Sequence, residues 1–175
     1  MPSSYTPLGV ELMVTGEQAG LWGDKTNTNL QIVSQISGGF TTQAVSGTGN
    51  TNITVNDGST GSALATRVIE LTGTITGAIT VSIPLDVENF YIIKNSTSGA
   101  FSVEFQYVSG SGTSVTWSST DKGTKILYAK ADDGTNPNIV DVFSQSSQIN
   151  LVNRNEVRFE DATGGQYVGL RAAAT

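Results

Sequence analysis

The chain has 175 residues with 15 acidic and 9 basic side chains, no cysteine and no histidine. That content excludes disulfide frameworks, thiolate chemistry, Cys-ligated zinc and any nucleophile activated by histidine. At net charge −6, with Lys and Arg scattered singly, it presents no basic patch for nucleic acid or for an anionic membrane surface, and no apolar run approaches the roughly 20 residues of a membrane span.

In chain order, residues 1–15 read as an extended arm. Pro2 and Pro7 oppose an early helix, and GVELMVTG has the look of one short strand. The opening MPSSYTPLGVELMV has neither the charged start nor the apolar core of a signal peptide. A Gly-punctuated turn around Trp22 follows. From about Asp24 to Ile36, Leu30, Val33 and Ile36 recur at threes with Ile32 beside them, which predicts a short helix with one apolar stripe. Asp24, Thr26 or Asn27 are candidate caps, and Gly38-Gly39 a stop. Trp22, bulky among flexible polar residues, has two readings: a core plug tying strand, turn and helix together, or a contact for a partner.

Beyond Gly39 the texture is β. Nine short, mostly alternating candidates run from TTQAV at 41–45 to NIVDVFS at 138–144, separated by turn signals such as Asn56-Asp57-Gly58, Ser96–Gly99, Ser109–Gly112 and Asp133-Gly134. The pattern predicts a mainly β fold: an antiparallel β-sandwich over 40–146, preceded by the arm, turn and helix over 1–39. Alternation places Ile69, Leu71, Ile79, Val81 and Ile83 inside, with Tyr91, Ile93, Phe101, Val103 and Phe105. In TKILYAKA either Ile126 and Tyr128 or Leu127 and Ala129 face inward. A connector over 147–175 carries two further strand candidates around Gly164-Gly165, and its blunt last strand suggests that the natural polypeptide continues past Thr175.

Three segments align with one family: TGEQAGLWGDKTNTNLQIV, then VIELTGTITGAITVSIP with NFYIIKNSTSGAFSVEF, then NEVRFEDATGGQYVGLRAAAT. Together they resemble the N-terminal region of tail fibres and related virion structural proteins of tailed bacteriophages, notably short-tailed phages of marine and photosynthetic bacteria. The sharpest element is the spacing of Gly20, Trp22, Gly23, Asn27 and Asn29; the segment GGQYVGL resembles a lead into a fibre shaft. The resemblance implies a virion location on the tail and a homotrimer whose N-terminal part docks on a tail protein (adaptor, nozzle or portal-proximal). It brings no catalytic residues and no cofactor. Tyr5, Leu8, Trp22, Asp24, Asn27 and Asn29 are the candidate docking residues, with Tyr5 and Leu8 placed to add a strand to a neighbour's sheet.

Sharper chemistries remain candidates. A glycosidase needs two carboxylates across a cleft; Asp86 with Glu88, or Glu160 with Asp161, are the nearest pairs, and both read as solvated edges. A calcium loop needs several oxygen ligands; Asp132, Asp133 and Asn136 flank Gly134 in what reads as an ordinary hairpin turn. Trp117 is a possible glycan platform for an adhesin module, or a half-buried strand aromatic. A capsid decoration protein would share the small, acidic sandwich.

Overall fold

The computed structural model describes residues 2–131 and 135–144, and the backbone of two further strands, Val157–Glu160 and Tyr167–Leu170. The chain divides into two compact units, Met1–Gln145 and Ser146–Thr175. In the second, the two strands pair antiparallel with Val157 opposite Leu170. Asp132, Asp133, Gly134, Asp161 and the side chain of Glu160 lie outside what is described, and with them most of the calcium candidate and the Glu160–Asp161 carboxylate pair.

The first unit opens with a small hairpin, β1 (Ser4–Tyr5) against β2 (Glu11–Leu12), where one short strand was expected. Helix α1 then runs Trp22–Gly38, two residues longer at each end than the apolar spacing indicates. The expected side-chain cap is not used: Leu21 occupies the N-cap position without a side-chain hydrogen bond, which puts Asp24, Thr26 and Asn27 inside the helix. The glycine stop holds. Gly39 N–H donates to the Gln35 carbonyl at 2.8 Å, and a Cβ at Gly39 would crowd the Gln35 backbone.

Six strands follow in three pairs: β3 (Phe40–Ala44) and β4 (Gly47–Asn52), β5 (Val68–Thr72) and β6 (Ile75–Ile83), β7 (Asn89–Asn95) and β8 (Val103–Tyr107). Each odd strand joins one sheet and each even strand the other. After one circuit the chain therefore returns to lie beside its own earlier course, running the same way. β3, β5 and β7 are parallel, as are β4, β6 and β8. Three coils of a two-sheeted solenoid result. β9 (Val115–Trp117), β10 (Thr124–Lys130) and β11 (Asn138–Asp141) then finish the stack antiparallel, giving the sheet orders β11-β10-β7-β5-β3 and β4-β6-β8-β9.

The mainly β character, the two sheets and the single described helix match the expectation; the direction of the middle strands does not. Parallel neighbours need a crossover, and here each crossover is a strand in the opposite sheet. Asn56-Asp57-Gly58 and Ser96–Gly99 serve as corners instead of hairpins, whereas Ser109–Gly112 joins the antiparallel neighbours β8 and β9 as expected. At one corner Val45 N–H donates to Thr72 O (2.7 Å), Gly47 N–H to Thr74 O and Ile75 N–H to Ser98 O (both 3.0 Å), so successive coils are bonded through their turns. Gly73 and Gly99 have positive φ there, and a Cβ on either would strike the Val45 or Ile75 carbonyl of the preceding coil.

One core lies between the sheets. Ile69, Leu71, Ile79, Val81, Ile83, Tyr91, Ile93, Val103 and Phe105 are buried in it as alternation indicates, and Leu127 with Ala129 settle the open choice in β10. Phe101 is exposed instead, because it precedes β8 on the corner. Tyr91 and Phe105 meet edge to face at 6.2 Å. Both buried tyrosine hydroxyls have backbone acceptors, Tyr91 on Leu64 (2.8 Å) and Tyr107 on Val87 (2.7 Å), as a buried hydroxyl requires.

Candidate functional site: the exposed face of helix α1

The side of α1 that packs on the protein combines polar anchors with one buried isoleucine. Asn29 lies alongside β2, where its Oδ1 accepts from Glu11 N–H and its Nδ2 donates to Glu11 O, both at 2.9 Å. A side-chain amide thus takes the place of a neighbouring strand's peptide. The buried Glu11 carboxylate meets Lys25 at 3.1 Å and accepts from Gln18 Nε2 at 3.0 Å. The Ser3 hydroxyl, then the Lys25 ammonium, hold its carboxyl below the usual glutamate range. Ile32 is buried on this side, and Gln35 reaches the loop before β5 through Gly61 N–H at 3.2 Å. Lys25, Asn29, Ile32 and Ile36 follow helical spacing, but a hydropathy pattern passes over a face whose anchors are an ion pair and an amide.

The expected apolar stripe is split: Ile32 is buried and Ile36 half-buried, whereas Leu30 and Val33 lie outside. Trp22 is 63% and Leu30 62% exposed, and Val33 and Leu21 are exposed as well. At 3.6 residues per turn, Trp22, Val33 and Leu30 fall within about 80° of one another. A shallow groove at the C-terminal end of the helix, away from Trp22, is lined by Leu30, Val33, Ser34 and Gly38-Gly39. Large apolar side chains grouped on a surface commonly mark contact sites.

The candidate residues separate. Trp22 is no core plug, since most of its surface meets solvent; strand, turn and helix are joined by Glu11, Lys25 and Asn29 instead. Asp24 and Asn27 are exposed on the helix, whereas Asn29 is committed to β2. Leu8 packs against the chain's own core, and Tyr5 lies in β1, close against Gly58. Leu8 is thus packed onto its own chain, whereas Tyr5 pairs within the β1–β2 hairpin and keeps an exposed side chain. Trp117 is fully buried, its Nε1 donating to Gly123 O at 3.0 Å, and Lys125 Nζ sits 5.7 Å from its ring centre. A buried ring offers no face to a sugar, which removes the glycan platform. Asp86 and Glu88 are exposed, and Glu88 accepts from the Tyr128 hydroxyl at 2.6 Å. Among the described residues no group of three or more acidic side chains could hold a metal ion. Compared with protein-family models, curated proteins and solved structures, the chain finds no match.

Proposed function

We propose that the chain is a non-enzymatic attachment module, the anchor end of a phage tail fibre, and that it docks on a tail protein through the exposed face of α1. One observation carries the reading: Trp22, Leu30 and Val33 face solvent on a helix whose adjoining face, with Lys25, Asn29 and Ile32, is already tied to its own chain. Buried aromatics supply much of the energy of protein interfaces, and an uncompensated Trp-Leu-Val stripe suits that use. Of the residues that carry the resemblance, Trp22 and Asn27 lie exposed on this helix and support the same surface, while Asn29 holds the helix to β2.

The test is co-sedimentation of the purified chain with tail particles lacking the fibre, together with cryo-electron microscopy of the virion. The expected result is density for this chain on the tail, and binding lost in a Trp22→Ala, Leu30→Ser double variant whose circular dichroism is unchanged. Density on the capsid, or undiminished binding by that variant, overturns the proposal.

A further inference from the structure

The first coil leaves both sheets open at the same end: β3 is the last strand of one sheet and β4 of the other. Val68 N–H donates to Gly39 O at 2.9 Å and Val45 N–H to Thr72 O at 2.7 Å. Peptide groups alternate in direction along a strand, so those of Phe40, Thr42 and Ala44 point away from β5. Among the described residues, the Ala44 carbonyl is met by the neighbouring Gln43 side-chain amide at 3.0 Å. Phe40 is 63% exposed, and Thr42 and Ala44 are exposed too. Edge strands are ordinarily protected by charge, proline or a covering element. Here no charged residue and no proline occurs between Lys25 and Asp57, a stretch that holds both edges, in a chain of net charge −6.

We propose that a second copy of this chain occupies the free edge, β3 pairing antiparallel with β3 across a two-fold axis centred on Thr42. That register makes Thr42 face Thr42, Phe40 face Ala44 and Thr41 face Gln43. Each is a compatible cross-strand pair with no like charges opposed. The outward peptide groups of residues 40, 42 and 44 then pair with one another, and a contact that uses the same patch on both copies closes on itself. The same axis, perpendicular to the sheets, brings the two β4 edges together. Two acidic copies meet at this edge without opposing any charged side chain of β3 or β4. The joint is a different contact from the three-copy association implied by the resemblance, and it does not use the α1 face.

Sedimentation equilibrium of the full chain tests it. The wild type is expected to dimerise. Thr42→Lys, at an exposed position, sets two ammonium groups face to face and is expected to weaken the dimer at least about tenfold, with circular dichroism unchanged. Thr42→Glu acts likewise, and mixing the two variants restores a dimer that contains one of each. A monomeric wild type overturns the proposal, as does a dimer or trimer indifferent to Thr42→Lys, or a mixture that fails to pair.

Discussion

The two ends of the solenoid handle the same problem in opposite ways. At the far end the sheets are stitched together: Ile139 N–H donates to Thr113 O at 2.9 Å, Thr113 Oγ1 donates back to Ile139 O at 3.0 Å, and Lys125 bridges Asp121 and Asp141 at 3.2 and 3.7 Å. Trp117 closes the core beneath. At the near end the first coil has neither stitch nor charge, and α1 shows solvent an apolar side. A stack of parallel strands always has two terminal edges; the described residues finish one of them and leave β3 and β4 unpaired at the other. The difference assigns stability to the far end and contact to the near one.

The largest expected effect breaks the far end. Trp117→Ala removes a fully buried ring and the donor to Gly123 O, and truncation of a buried Trp costs about 3–5 kcal/mol. Urea denaturation with circular dichroism checks it. A loss below about 1 kcal/mol, the scale of an exposed site, would show that the ring does not close this core.

Much of this architecture was legible in the sequence. Alternation named Ile69, Leu71, Ile79, Val81 and Ile83 correctly because a strand buried on one side shows itself at period two. Strand direction was not legible. Asn56-Asp57-Gly58 and Ser96–Gly99 are chemically the same punctuation whether the chain folds back beside itself or crosses to the other sheet. The coils share a geometry without sharing a repeated sequence, so no period announces them. The helix face was assigned only in part for a related reason: a hydropathy pattern looks for leucine and valine on the inside, whereas α1 holds on by Lys25 and Asn29 together with the buried Ile32. The cue that could have been used is Glu11, an isolated acid within the apolar segment GVELMV, which needs a partner if that segment packs.

The corners connect the two ends and come next in size. Gly99 has φ near +99°, and its missing Cβ leaves room for the Ile75 carbonyl. Gly99→Ala combines backbone strain of about 1–3 kcal/mol with displacement of the coil beneath. Thermal melting should fall clearly below wild type, whereas Gly16→Ala, also at positive φ but with open space around it, carries the strain alone and falls less. Equal losses would mean that the stacked corner adds nothing.

Stability against pH sharpens the comparison differently. Ser96 then Lys94 lower the Glu70 carboxyl, and the Gly123 N–H then Lys125 lower Asp121. Groups whose folded pKa is depressed contribute stability that is present above their unfolded pKa and lost as pH falls through the folded one. Burial raises the hydroxyls of Tyr91 and Tyr107. Their contribution is complete below the unfolded tyrosine value and declines as pH rises beyond it. With no histidine and no cysteine, urea midpoints should be level from about pH 5 to about pH 9 and fall on either side. Replacing Asp121 by Asn should flatten the acid limb through the far end alone; an acid limb unchanged in that variant would remove Asp121 from it.

The smallest expected effect is the other tryptophan, and it decides most. Trp22→Ala should change the stability of the isolated chain by less than about 0.5 kcal/mol, as at an exposed site free of special contacts, against several for Trp117→Ala. Fluorescence separates the two rings directly. Removing Trp22 should leave a blue-shifted emission that acrylamide quenches poorly, because only the buried Trp117 remains; removing Trp117 should leave the solvent-exposed spectrum of Trp22. A Trp22→Ala variant that melts as early as Trp117→Ala would put Trp22 back among the residues that hold the fold, and the near end would lose its claim to be a contact surface. A variant that folds normally leaves the exposed aromatic without a structural task in its own chain, which is the condition that docking through α1 requires.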